Sequence, residues 1–410
     1  MAAASISKGT RAFDHASRGL TPLIPLLVVA GPAPLDVGAI LITVLFLVRS
    51  AVTRDFRWLR ERWLQLALLL WVYFCARNAF VDGAAFGRAA GWVRYPLFAA
   101  ALAHWSLRDP TTARWTRHTL IVAVLFLVGD TLYQYLYRMD LFGRPALMND
   151  GTLRLTGPYS APRVGVTIAW LMFPGMLWCL AHKRWRWRLG GIGMALAAAA
   201  AVLASGERTA LLLLACGMAA SFLFSARARV PLLIIAALGA LGAATMLDSN
   251  PALKARQVGA MEHGVRHFGD SVYGRMWQAG AAIAEDYAAF GVGSKQFQPV
   301  CSRPAYGPTD PDSLIQRCPM HPHNMYVEWA VEGGLIALAL WLMLLGTWVM
   351  RAYREWRHWL GQPLATGLLI AVGIKLFPIA VTPSQFVAWA ALPLWFMAGW
   401  LLALLPRKTA

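Results

Sequence analysis

His321-Pro322-His323-Asn324 closes a polar stretch that begins at Asp248 and also holds Arg266, Tyr273, Arg275, a Gly291-Val292-Gly293 turn, Cys301 and Cys318. These residue types set the chemistry open to the segment. Imidazole titrates near neutral pH and takes a proton from a hydroxyl. Guanidinium is a permanently charged planar fork that grips phosphate oxygens two at a time. Of the four histidines here (His263, His267, His321 and His323), His323 stands apart. An apolar run starts directly behind it, and Pro322 fixes the approach of the chain. A histidine at the start of a helix and the mouth of a cavity suits a general base. A metal site is not expected: the one close pair is His321 and His323, the nearby acids are Asp310 and Asp312, and no HExxH spacing occurs.

The arginines point the same way. Arg154, Arg163, Arg208, Arg266 and Arg275 fall on the side of the membrane that holds the polar stretch, with few acids to neutralise them. Arg77, Arg88, Arg94 and Lys375 lie in or at the ends of apolar runs, where an ion costs several kcal/mol unless it snorkels, pairs or lines a wet cavity. Snorkelling or an ion pair between helices is the plain alternative for each of these four. Taken together, the cations suit a pocket for a lipid-linked phosphate or pyrophosphate at the membrane surface.

The elements that must position these residues are membrane helices. The chain of 410 residues is 58% hydrophobic and only 14% charged, which excludes an ordinary soluble domain. Its 19 tryptophans suit two wet membrane interfaces. Apolar runs fall at about 20–32, 34–50, 63–82, 88–106, 117–137, 163–181, 189–205, 208–225, 230–247, 323–350, 363–382 and 385–406. The expected fold is an all-α polytopic membrane protein with about twelve transmembrane helices and one large periplasmic loop. The expected organisation is a cytoplasmic tail over 1–19, nine helices over 20–247, the loop over 248–322, and three helices with a short tail over 323–410. The basic start and the apolar run from Leu20 resemble a secretory signal, but the prolines at 22, 25, 32 and 34 and the immediate second span read as an uncleaved first helix.

Orientation follows from the basic loops. Arg49, Arg54, Arg57, Arg60 and Arg62 follow the second span, and further Lys and Arg clusters follow every even-numbered span down to Arg407 and Lys408. Those loops face the cytoplasm under the positive-inside rule, which also accounts for the net charge of +18 without nucleic acid. The polar stretch, the loop at 138–162 and Ser205-Gly206-Glu207-Arg208 then face outward. Cys75, Cys179 and Cys216 lie in spans as packing residues. Cys301 and Cys318 share the outer loop, where an oxidising compartment favours a disulfide over free thiols or a zinc pair.

Three motifs in order resemble the O-antigen ligase and polymerase superfamily of lipid-linked glycan transferases. They are Ser205-Gly206-Glu207-Arg208-Thr209-Ala210; Tyr273-Gly274-Arg275-Met276-Trp277 followed by Phe290-Gly291-Val292-Gly293 and Phe297; and His321-Pro322-His323-Asn324-Met325-Tyr326 followed by Glu332-Gly333-Gly334. Arg154-Leu155-Thr156-Gly157-Pro158-Tyr159 is a weaker fourth. The resemblance covers most of 150–340. It implies a GT-C-like inverting glycosyltransferase that takes a glycan from undecaprenyl pyrophosphate, with no metal and no cofactor. Carried over by motif, His323 is the base, and Arg208 and Arg275 hold the diphosphate. Arg154, Arg163, Arg266, Arg88, Tyr273, His321 and Asn324 are further substrate-binding candidates. Glu207 departs from the small residue usual at its position and is expected to pair with Arg208 or to lie against another basic group.

Within the superfamily the single outer loop and basic outer face look most like the ligase, which moves O-antigen onto lipid A–core oligosaccharide in the bacterial inner membrane. The polymerase is similar but usually has two Arg-rich outer loops, and here 138–162 is short. Protein O-oligosaccharyltransferases often carry further soluble sequence at the C-terminus, where this sequence has its last span close to Ala410. A transporter of lipid-linked anions would also use cations facing a cavity, but no repeat relates the two halves of the chain.

Overall fold

The computed structural model describes residues 2–149, 152–307 and 317–406. Asp310, Asp312, Arg407 and Lys408 lie outside the described residues, and of His263 only the backbone is described. In chain order the helices are α1 (Ala2–Leu20), α2 (Ile24–Ala30), α3 (Pro32–Thr53), α4 (Arg62–Asn78), α5 (Gly83–Trp92), α6 (Arg94–His104) and α7 (Pro110–Tyr137). A hairpin of β1 (Leu147–Asn149) and β2 (Thr152–Arg154) follows, antiparallel with Met148 opposite Leu153. Then come α8 (Val164–Leu180), α9 (Trp185–Ala204), α10 (Arg208–Phe224), α11 (Arg229–Asp248), α12 (Pro251–Lys254), α13 (Ala260–Arg266), α14 (Val272–Asp286) and α15 (Phe297–Cys301). The chain closes with α16 (Met325–Arg354), α17 (Trp356–Leu360), α18 (Pro363–Lys375) and α19 (Ala388–Leu404).

The fold is all-α and membrane-spanning in character. Helices α3, α7, α9, α11 and α16 are long and apolar enough to cross a membrane, while α8, α10, α18 and α19 are shorter apolar helices. Helices α8 and α19 are buried at nearly every position, as expected of apolar helices with no polar face. Helix α8 packs on α18, α9, α7 and α10, and α19 on α6, α18 and α3. Helix α16 lies between α4 and α14, and so joins the bundle to the polar segment.

Several boundaries differ from the sequence reading, each for a local reason. Residues 2–20, which cover nearly all of the expected tail, are helical, and α1 packs on α3 and α7. The prolines at 22, 25 and 32 sit at first-turn positions, where proline starts a helix instead of interrupting it. The run at 88–106 divides at Val93 into α5 and α6. The eleventh run stops at Lys375, because Pro378 and Pro383 prevent helix over 376–387.

The tryptophans also differ. Trp63, Trp92, Trp329, Trp341, Trp348 and Trp395 are buried and form one connected cluster, with Trp92 edge-on to Trp329 at 5.9 Å and Trp329 stacked on Trp341 at 5.2 Å. Such pairs add about 0.5–1.5 kcal/mol each beyond area burial, so these indoles serve the core of the bundle rather than its rims.

The cations inside the apolar runs find separate solutions. Arg94 pairs with Asp36 across α6 and α3 at 2.7 Å and also donates to the Tyr95 hydroxyl. Lys375 is buried with its Nζ 3.1 Å from the Trp170 ring centroid, so it turns inward instead of snorkelling. Arg77 and Arg88 reach the polar segment, as described below.

That segment has its own small core. Met276, Ala279, Ile283, Val292, Phe297, Val300 and Val331 pack together with Cys301 and Cys318, which form a disulfide with Cα atoms 5.5 Å apart.

Candidate functional site

Helix α16 is broken at Gly334, whose φ is +70°. A break frees carbonyls that an intact helix would pair four residues on. Here the polar segment takes those places. Val292 N–H donates to the Val331 carbonyl and Gly293 N–H to that of Glu332, both at 2.9 Å, while Leu335 N–H donates to Ala288 O at 2.7 Å. The Tyr73 hydroxyl donates to Gly333 O at 2.6 Å. Gly291, at φ +66°, permits the contact because the two backbones touch there. The Gly-Val-Gly turn and the glycine pair, about forty residues apart in sequence, are thus two halves of one joint.

Two arginines from the bundle hold the same joint. Arg77 donates to the carbonyls of Phe290 (3.1 Å) and Gly291 (2.9 Å), and Arg88 donates to Ser294 O at 3.2 Å. Asn78, fully buried, accepts from Ser294 N–H at 2.8 Å, and the Glu332 carboxylate accepts from Lys295 N–H at 2.7 Å. Arg88 Nε stays buried with no hydrogen-bond partner among the described residues.

His323 sits just before α16 with φ +49°, a left-handed conformation uncommon for a side-chain-bearing residue and frequent at functional sites. Its carbonyl accepts from Thr382 N–H at 2.8 Å. Asn324 caps α16 by accepting from the N–H groups of Tyr326 and Val327 at 3.0 and 3.1 Å, and its amide donates to Pro378 O at 2.7 Å. Tyr326 donates to Leu376 O at 2.6 Å, and Glu328 accepts from Gln385 N–H at 2.8 Å. Residues 376–387 therefore strap the start of α16, which satisfies backbone groups that could not be left bare at the edge of a membrane.

The imidazoles of His321 and His323 stand with centroids 4.1 Å apart, and the Tyr273 ring meets His323 edge-on at 6.3 Å. Burial pushes His321 down to about 3, helped by His323 and the nearby Lys295 charge. Burial also lowers His323 from its ordinary value. Both rings are neutral at pH 7, the state a base requires. Arg275 is half-buried two residues beyond Tyr273 on α14. Ser271 caps that helix by accepting from Gly274 N–H at 3.0 Å.

A second group forms around Gly206, at φ +72°. Arg208 opens α10 at this turn and is half-buried. Arg256 donates to Gly206 O at 2.9 Å and Gln257 to Leu203 O at 2.9 Å, so the polar segment docks here too. The Glu207 carboxylate accepts from Gly165 and Val166 N–H at 2.8 and 3.2 Å, capping α8. Burial raises its carboxyl, and those two bonds with the Arg154 charge pull it back. Of the two roles expected for Glu207, the neighbouring basic group is thus present in Arg154, and the helix cap is an addition. Arg154 and Arg163 each bury a guanidinium Nε with no hydrogen-bond partner among the described residues. Arg163 lies over the Tyr159 and Trp389 rings at 4.9 and 4.7 Å.

The candidates therefore fall into two clusters. His321, His323, Asn324, Tyr273 and Arg275 gather at the α14–α16 junction, with Arg88 behind them. Arg154, Arg163 and Arg208 gather at the start of α8 and α10. The clusters are linked by the chain from Lys375, over Trp170 of α8, through the strap on His323, to Trp389 against Arg163. Arg266 stands apart, exposed and paired with Glu262 at 2.7 Å. Asn78, Arg77, Arg256, Glu332 and the strap are supports that sequence reasoning did not assign. Their signal is spatial, since the backbone groups they serve lie between roughly 40 and 220 residues away. No group of three metal-binding side chains occurs among the described residues.

The site is thus an arginine- and histidine-rich segment docked on one end of a bundle of apolar helices. The family model described as O-antigen ligase matches residues 192–342, from within α9 to the middle of α16. Over that segment, less than half of the 410 residues, the chain is similar to the O-antigen ligase family. No curated protein matches the chain.

Proposed function

We propose that this protein is an O-antigen ligase: an inverting glycosyltransferase that moves O-antigen polysaccharide from undecaprenyl pyrophosphate to lipid A–core oligosaccharide at the periplasmic face of the inner membrane. The observation that carries the reading is His323: neutral by burial, held in a left-handed backbone by Thr382, and flanked by His321 and Tyr273.

The chemistry follows from the donor. A pyrophosphate is already a good leaving group, so the site supplies a base and countercharge. The acceptor hydroxyl attacks the anomeric carbon from the face opposite the diphosphate. A C–O bond to the acceptor forms as the C–O bond to phosphate breaks, and the hydroxyl proton passes to His323. Undecaprenyl pyrophosphate leaves with its added charge held by Arg208 and Arg275. Arg154 and Arg163, each with an unpartnered Nε, are suited to further phosphate oxygens. Arginine supplies here the positive charge that a divalent ion supplies elsewhere, and activity that survives exhaustive chelation is the expected result.

The test is a lipopolysaccharide gel from a ligase-null host supplied with a compatible lipid-linked O-antigen. Expression of the parent restores the ladder, and expression of His323→Ala does not. Longer glycans left on the lipid carrier, with no ladder, would assign the polymerase reaction instead.

A further inference from the structure

At the end of the bundle opposite His323, a cavity of about 1450 Å³ opens between the end of α3, the start of α4 and the second half of α16. Each helical wall changes character along one face. On α4 the lining includes Leu69, Leu66 and Arg62, stacked at helical spacing, beside Trp63 and Gln65. On α16 it includes Met343, Gly346, Met350 and Arg354, again on one face, beside Thr347, Trp348 and Arg351. The apolar end is therefore about 10 Å from the cation on one wall and about 16 Å on the other. Nothing lies within 4 Å of where a Gly346 side chain would stand, so the α16 wall carries a furrow. Leu69 and Met343 are 52% and 50% exposed along it.

The rim is cationic beyond what its acids neutralise. Asp55 is taken by Arg57 at 2.9 Å, and Glu61 by Arg351 at 3.2 Å. Arg60, Arg62 and Arg354 are exposed and form no ion pair among the described residues, against one further lining acid, Glu355. Loop arginines that served orientation alone would need neither a cavity nor an apolar furrow beneath them.

We propose that this cavity binds an anionic phospholipid, with its phosphate on Arg60, Arg62 and Arg354 and one acyl chain along Leu66, Leu69 and Met343 past Gly346. Charge complementarity fixes the headgroup class, because juxtamembrane arginines attract anionic lipid. The furrow requires a chain attached to that headgroup. The site is separate from the residues assigned to glycan transfer and does not depend on that assignment.

The experiment is native mass spectrometry of the full chain released from nanodiscs of equal phosphatidylglycerol and phosphatidylcholine. The parent retains phosphatidylglycerol preferentially. Arg60→Gln/Arg62→Gln/Arg354→Gln lowers that preference by about tenfold or more. Gly346→Leu, which keeps every charge, lowers retention of the lipid by filling the furrow. Glycerol phosphate, with the same charge and no chain, does not displace it. An unchanged preference in the triple variant, or unchanged retention in Gly346→Leu, overturns the proposal. Displacement by glycerol phosphate at concentrations matching the lipid overturns it in favour of a soluble-anion site.

Discussion

Gly291 and Gly334 occupy each other's side-chain space: a Cβ on Gly291 would stand 2.5 Å from Gly334 N, and one on Gly334 2.3 Å from the Ala289 carbonyl oxygen. Both obstacles are backbone, and both glycines have positive φ, so neither position has room to yield. Gly334→Ala is expected to cost at least about 2 kcal/mol at the joint and to release the polar segment from α16. Faster protease cleavage within 250–307, with the protein still in the membrane, is the readout; an unchanged cleavage rate contradicts it.

Protonation of the histidine pair sets an acid limit. His321 and His323 have values below their ordinary 6.5, His321 at about 3. Between those values the unfolded chain binds protons that the folded site refuses, so stability falls as pH drops from 6.5 toward about 3. Transfer activity is expected to be level from pH 7 down to 6.5, with its acid limb below that, measured on purified protein with synthetic lipid-linked donor. A limb centred above 6.5 would remove His323 as the base.

Arg275→Ala and Arg208→Ala should each abolish the ladder at normal protein level. Lysine at either position should restore only part of it, because a point charge cannot reproduce the two-pronged contact with phosphate. Full activity in either alanine variant takes that arginine out of the site.

Glu207→Ala removes the acceptor for two N–H groups at the start of α8. A loss of about 2–4 kcal/mol is expected, seen as a lower melting temperature of the detergent-solubilised protein, with Glu207→Gln milder. Equal melting of parent and Glu207→Ala would contradict the cap.

Reduction of the Cys301–Cys318 disulfide opens a loop with a sequence separation of 17. It should destabilise the small core around Phe297 and Val300 by about 3 kcal/mol. Proteolysis of the polar segment under reductant tests this, with the bundle helices as internal control.

The helical class and the residues worth suspecting were legible in the sequence because hydrophobic runs and motif order are local signals. Arg208, Arg275 and His323 were singled out on motif order, and all three fall within residues 192–342, which carry the family match. What escaped was whatever depends on a distant partner. Nothing near Asn78 announces that it receives the N–H of Ser294, and nothing in 363–382 announces that its last third is a strap rather than helix, except Pro378, with Pro383 just beyond. Arg94 looked like a candidate cation until Asp36, on another helix, proved to neutralise it. Arg266 was grouped by sidedness alone, and sidedness does not reveal its contact with Glu262.

The strap has a consequence for anyone who would transplant this chemistry. Thr382, Pro378 and Gln385 fix His323 and its helix, and Tyr73, Arg77 and Asn78 fix the opposite side of the joint, yet all six lie outside the matched segment. A chimera that grafted only residues 192–342 onto another bundle would inherit the histidine without its clamp. A working swap therefore has to move the terminal helix pair and the fourth helix as one cassette.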